Sequence, residues 1–283
     1  MIRYTLATRL ARRLRAEGKP LPLEALGEAL RLKGPVEPVL LPLLDGRFWR
    51  EGEVGLWEWV YPLSEEKVVV LDLETTGLSP EGDEIIEVGL VILEGGGKRT
   101  LSRLVRPPRP PSPWVTRLTG LAWEDLKEAP PLEEVMREVH KELCGATLVL
   151  HNAPFDLSFL QPALKRVGLA WEGAVVDTVV LARRALPGVR RVGLDSLAEV
   201  FELKPENRHR ALGDALLTLE VLHEVYYMLT AGRPRPLSDL GKGVQRIEGQ
   251  VCPDQPLPPP GGSYPYLLLA PAPSWPRAGP VCR

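Results

Sequence analysis

The chain has 283 residues, 44% hydrophobic and 25% charged, with a formal net charge of −2. That is room for two modest domains of ordinary globular composition. No apolar run approaches the ~20 residues of a membrane span, and the N-terminus lacks the apolar core of a secretory signal, so a cytoplasmic protein with no membrane partner is expected. Cys144, Cys252 and Cys282 form no CxxC pair, which argues against a zinc site or a disulfide framework. The charge balance does not exclude a nucleic-acid partner, because acidic sites subtract charge locally while basic surface elsewhere still holds phosphate.

Residues 1–64 read as a small accessory domain. Leu6, Leu10 and Leu14 recur at helical spacing over Thr5 to Arg15, with Arg9, Arg12, Arg13 and Arg15 on the other faces. Pro22 to Leu30 reads as a second helix and Pro38 to Leu44 as a third. Phe48-Trp49 and Leu56 to Tyr61 then flank a Gly-containing turn as a two-stranded ribbon. Helices followed by a ribbon suggest a winged-helix-like module. Its arginines suit a nucleic-acid contact, and equally a solvated or protein-docking face.

After a linker at 62–66, residues 65–230 carry the pattern of an α/β domain. Val68 to Leu71 is an apolar run typical of a buried strand. Strands at 84–93, 99–105 and 146–150 and helices at 132–143, 155–167, 178–185, 194–201 and 211–229 follow. A strand meander that passes into alternating strands and helices implies a mixed sheet with helices on its faces. Residues 231–283 hold 12 of the 30 prolines and read as a Pro-rich flexible tail, with Tyr264 to Leu269 as a short docking segment.

Three short blocks carry the chemistry: Asp72-Leu73-Glu74-Thr75-Thr76-Gly77, His151-Asn152-Ala153-Pro154-Phe155-Asp156 and His209-Arg210-Ala211-Leu212-Gly213-Asp214. Asp72 and Glu74, two apart on a strand, project to one face. Converging carboxylates raise one another's pKa, so a site that keeps several ionised needs divalent cations. Two cations about 4 Å apart can clamp both reacting oxygens of a phosphodiester. Taken singly, the same residues also fit solvated strand-end carboxylates, a helix-capping Asp156 and a surface His209.

Together the blocks resemble the three motifs of the DEDDh 3′→5′ exonucleases, most nearly the epsilon proofreading subunit of bacterial DNA polymerase III. Leu118-Thr119-Gly120-Leu121 with Asp125-Leu126 is similar to the segment this family places beside its active site. The resemblance implies a ribonuclease-H-like fold and metal ligation by Asp72, Glu74, Asp156 and Asp214, with His209 as general base. It implies substrate contacts from Thr75, Thr76, Leu78, Leu118, Thr119, Asn152 and Phe155, the last stacking on a terminal base. His151 is structural or substrate-adjacent, and not the base.

The implied cofactor is Mg²⁺, two ions, with Mn²⁺ able to substitute, as suits an all-oxygen ligand set. Implied partners are single-stranded DNA or frayed 3′ ends and DNA polymerase III components. The epsilon pattern normally starts near its first motif, whereas here a long segment precedes Asp72. Two other readings remain open: an exoribonuclease, since the motifs do not read the sugar, and a catalytically silent polymerase-docking module.

Overall fold

The computed structural model describes residues 2–60, 63, 67–233 and 235–248. Its centre is a six-stranded mixed sheet in the order β5-β4-β3-β6-β7-β8. The strands are β3 (Val68–Thr75), β4 (Ile85–Glu94), β5 (Gly97–Leu104), β6 (Thr147–Leu150), β7 (Gly173–Asp177) and β8 (Val244–Ile247). The first three form the expected antiparallel meander. β3, β6 and β7 run parallel, and β8 closes the far edge antiparallel to β7.

Side-chain alternation along β3 sorts the core into two layers. Val69, Leu71 and Leu73 face one side, under α6 (Leu132–Leu143) and α7 (Ala153–Arg166). Val68 and Val70 face the other, under α8 (Thr178–Ala185), α9 (Leu194–Val200) and α10 (Ala211–Thr230). Continuing that alternation puts Asp72 and Glu74 on the α10 side. Strands covered on both faces read as continuous apolar runs, which is why β3 and β4 stood out in the sequence. This is the ribonuclease-H-like architecture the resemblance implied. Among the described residues no helix is long and apolar enough to cross a membrane.

The start of the tail departs from the expectations. The tail does not begin at 231. Residues 235–248 fold back on the sheet, with Arg184 donating to the carbonyls of Leu240 and Lys242 at 2.8 and 2.5 Å and Tyr226 donating to that of Arg235 at 2.9 Å. A fragment ending at 230 therefore lacks an edge strand. The docking segment at 264–269 lies outside the described residues, as does the linker at 62–66 apart from Leu63.

The N-terminal segment has helices α1 (Ile2–Glu17), α2 (Leu23–Ala29) and α3 (Glu37–Leu40), then a hairpin of β1 (Phe48–Glu51) and β2 (Glu53–Leu56) turning at Gly52, whose φ is 73°. It has its own small core around Leu10, Leu14, Leu26, Leu40 and Val54. It is nevertheless part of one compact unit with the sheet. The arginines of α1 explain why. Arg9 and Arg12 pair with Glu202 at 2.7 and 3.1 Å, and Arg15 pairs with Glu58 and Glu224 at 2.7 and 2.6 Å. Those cations pair with carboxylates of this chain, with Arg15 the least exposed of the three.

Candidate active site

The carboxylates meet where β3 outruns its parallel neighbour. Pairing with β6 ends at Val70, so the end of β3 is open on that side, and the chain leaving β6 turns directly into α7. Asn152 makes that turn in the left-handed region, at φ 70°, and its N–H donates to Asp177 at 3.2 Å. Asp156, in the first turn of α7, then lies against the Leu73 backbone N–H, between Asp72 and Glu74 along β3.

Asp214 arrives from the other direction, and two glycines permit it. Gly89 lies opposite Asp72 on β4, and a Cβ there would come within 2.2 Å of the backbone of Ala211 and Leu212. Gly213 packs against the carbonyl of Asn207, which a Cβ would meet at 2.1 Å. The start of α10 therefore lies directly on β4. One carboxylate oxygen each from Asp72, Glu74 and Asp214 lies within 4.8 Å of the others, a grouping that suits a cation. Gly89→Ala is expected to displace α10, with a loss of about 1–3 kcal/mol by urea denaturation and a larger proportional loss of catalysis. Parental turnover in that variant would show that the close approach is not needed.

Electrostatics mark the cluster as strained without a counter-ion. Burial, then Asp156, Asp214 and Glu74, push Asp72 well above the ordinary carboxylate range. Burial, then Asp214 and Glu87, push Glu74 up to about 7. Burial pushes Asp156 up to about 8 against the pull of its backbone hydrogen bonds. One guanidinium answers part of this charge: Arg208 hydrogen-bonds Asp214 and also Asp195, the latter at 2.8 Å. The donor set of ionisable oxygens crowded on a buried strand end fits hard divalent cations.

Beneath the cluster, Glu87 faces Glu74 across β4 and is fully buried. It accepts two hydrogen bonds from Arg210, at 3.0 and 2.8 Å, and one from the Ala211 N–H at 3.1 Å, which caps α10. Those bonds hold Arg210 above its ordinary value, with Glu74 and Asp125 contributing. Arg210 is therefore an anchor for the helix that carries Asp214.

His209 occupies the loop before α10 in the left-handed region, φ 58°, two residues after Asn207 at φ 54°. Non-glycine residues there persist only where surrounding structure holds them, and the packing of Asn207 on Gly213 is such a hold. His151 is a different case. Burial takes it down to about 4, and its Nδ1 lies 2.8 Å from the Thr178 hydroxyl, so it is neutral near pH 7.

The remaining predicted residues divide by what their side chains already do. Thr75 donates to the Gly77 carbonyl at 2.5 Å, and Thr76 donates to Asp83 at 3.1 Å while accepting from the Glu84 N–H at 3.0 Å. Thr119 is buried, donating to Val115 and accepting from Leu121. These three hydroxyls are committed to local turns. Phe155 is half-buried, its ring 5.3 Å from that of Phe159. Leu78 and Leu118 are exposed. Glu87, Gly89 and Asp195 were not singled out in the sequence, while Arg208 and Arg210 were read there only as flanks of His209, equally suited to a phosphate contact or to solvated charge. The lone carboxylate in Ile85-Ile86-Glu87-Val88-Gly89-Leu90 was the available signal for the first two.

The RNase_T exonuclease family model matches residues 69–222. The chain belongs to this exonuclease family, in its DEDDh 3′→5′ branch. Over 190 residues it is 42% identical to a PolC-type DNA polymerase III of Caldanaerobacter subterraneus subsp. tengcongensis, covering 66% of this chain and 13% of that protein. It is 35% identical over 170 residues to the 3′-5′ exonuclease DinG of Bacillus subtilis, covering 58% of this chain and 18% of that one. The chain thus spans less than a fifth of the length of these relatives. A solved structure of exonuclease I superposes with a TM-score of 0.52 at 16% identity, covering 62% of this chain and 43% of that one, and shows a shared fold.

Proposed function

We propose that the chain is a metal-dependent 3′→5′ exonuclease that hydrolyses the terminal phosphodiester of single-stranded or frayed DNA and releases nucleoside 5′-monophosphates, in proofreading or repair. The observation that carries this reading is the convergence of Asp72, Glu74 and Asp214 within 4.8 Å, with Asp156 against the same strand. Asp72, Glu74, Asp156 and Asp214 would hold two Mg²⁺ or Mn²⁺ ions, which when bound supply the charge that clamps the attacking and leaving oxygens.

The chain's own residues do the rest. The four carboxylates, fixed by β3, α7 and α10, set where that charge sits. A ring nitrogen of His209 takes the proton from the attacking water, because imidazole is a competent base near neutral pH. Leu78 and Leu118 offer apolar surface to the terminal nucleotide, and Phe155 offers a ring face. Single strands are preferred, because the terminal nucleotides must leave the duplex stack to reach the carboxylates.

The test compares 5′-labelled single-stranded DNA, a duplex with a mismatched 3′ end and single-stranded RNA, each with Mg²⁺. A ladder shortening from the 3′ end with deoxynucleoside monophosphates released, fastest on single-stranded DNA, is expected. Faster RNA degradation would replace the substrate, and no degradation of any would replace the activity. His209→Ala is expected to lower kcat about 10²–10⁴-fold with little change in KM. A near-parental kcat would move the base elsewhere.

A further inference from the structure

The large hydrophobic side chains left exposed among the described residues are Val39, Trp59, Val60, Leu78, Trp114 and Leu118. Three of them fall on two segments tied to the strands that carry or back the acidic cluster, one following β3 and one packed on Ile86 of β4. Leu78, 75% exposed, follows β3 four residues after Glu74. Trp114, 54% exposed, and Leu118 lie on α4 (Pro113–Thr119). Tryptophan is on average highly buried in folded chains, so one left outside beside a catalytic cluster calls for an explanation.

The placement of α4 follows from its other face. Val115 packs with Ile86, Leu121 and Leu126, and Ile86 sits where β3 and β4 shift register, next to Glu87. The segment after α4 brings Asp125 close enough to act on the charge of Arg210, which also acts on Glu74. With Val115 and Thr119 turned inward, positions 114, 117 and 118 face out, one helical turn apart. Both helix ends are pinned. The Ser112 side chain accepts from the Val115 N–H at 3.3 Å, and Gly120 closes the helix at φ 74°. The outer face is therefore rigid in advance, which lowers the ordering cost of a ligand laid on it. Arg117, exposed on that face, has no ion-pair partner among the described residues.

Resting on the exonuclease reading, we propose that Trp114 stacks on the base of the penultimate nucleotide, one helical turn beyond Leu118 at the terminal nucleotide, with Arg117 toward the intervening phosphate. A helical turn is about 5.4 Å and the stacked rise per nucleotide about 3.4 Å. Contacts one turn apart thus match adjacent nucleotides of a strand drawn out of its stack. Every base has an aromatic face, so this contact selects unpaired strand over duplex without selecting sequence.

Trp114→Ala and Trp114→Phe in the full chain test this. Binding of a 5′-fluorescein oligothymidylate in Ca²⁺, followed by anisotropy, should weaken about 5- to 150-fold for alanine, the range for loss of one stacked base, and recover largely for phenylalanine. Hydrolysis of the p-nitrophenyl ester of thymidine 5′-monophosphate, which has no penultimate base, should be unchanged in both. An equal loss on ester and oligonucleotide would overturn the proposal in favour of a packing role for Trp114. Unchanged oligonucleotide affinity would overturn it in favour of another occupant of this face, such as a protein surface. Failure of the parent to cleave either substrate would overturn the exonuclease reading instead, while the affinity comparison would still decide the role of Trp114.

Discussion

Asp72→Ala is expected to abolish turnover in Mg²⁺ while leaving the metal-free protein at least as stable as the parent. The two effects share one cause. Burial and neighbouring carboxylates hold Asp72 well above its ordinary range, with Glu74 at about 7 and Asp156 at about 8. In the unfolded chain such groups titrate near 4, so the folded state binds their protons more tightly. The resulting stability is full below about pH 4 and is lost as pH rises through 7 to 8. The metal-free parent should therefore melt at lower temperature at pH 8 than at pH 5.5 as far as this cluster is concerned, and Mg²⁺ should raise Tm more at the higher pH. Asp72→Ala should flatten both dependences. Asp214→Ala should also abolish turnover, but it strips a partner from Arg208, so its stability is the less clean reading. Parental turnover in Asp72→Ala, or a parental Mg²⁺-induced shift in Tm, would remove the metal assignment.

The sequence revealed those parts of the fold whose signal is local. β3 and β4 are apolar runs because helices cover both faces, and α6 and α8 begin and end where their periodicity does. β7 went unnoticed because Gly173-Ala174-Val175-Val176 is brief and its last residue, Asp177, is already the N-cap of α8. β8 went unnoticed for the opposite reason. Gln245 and Arg246 are exposed on an edge strand, and such strands need little hydrophobic pattern. They also sit in a proline-rich stretch that reads as a tail.

The carboxylates of the site were legible as strand alternation and as motif. Their support was not. Glu87 matters because register sets it opposite Glu74, and Gly89 because α10 crosses there. Neither relation exists before the sheet is paired. The arginines of α1 show the same limit, since a cation in a sequence does not declare whether its partner is a phosphate or a carboxylate such as Glu202 or Glu224 far along the chain.

Those partners define the second large effect, a structural one. Arg47 is 1% exposed and pairs with Asp45 at 2.7 Å and with Glu224 at 2.6 Å, and Glu224 also holds Arg15. Burial works to raise Glu224, yet Arg47 and Arg15 keep it below its ordinary value, so it is buried as an anion in the middle of α10. Removing one member of a buried pair costs about 3–5 kcal/mol because the other is left uncompensated. Arg47→Met should lose stability on that scale in urea. Adding Glu224→Leu should recover part of it, since the deeply buried anion is then gone, and only part, since Asp45 loses Arg47 and Arg15 keeps Glu58 alone. A residue 65–230 fragment lacks Arg15, Arg47 and β8 together, and is expected to unfold at much lower urea than the whole chain or to precipitate. The turn at Gly46 packs directly on the Met228 carbonyl of α10, so deletion would also uncover that helix. Because Arg9, Arg12 and Arg15 are committed to internal carboxylates, losing the segment should act through the stability of α10, and thus of Asp214 at its start, rather than through the salt dependence of DNA affinity. A fragment that unfolds at the parental urea midpoint yet binds DNA with a shallower salt slope would reverse that assignment and return α1 to the nucleic-acid surface.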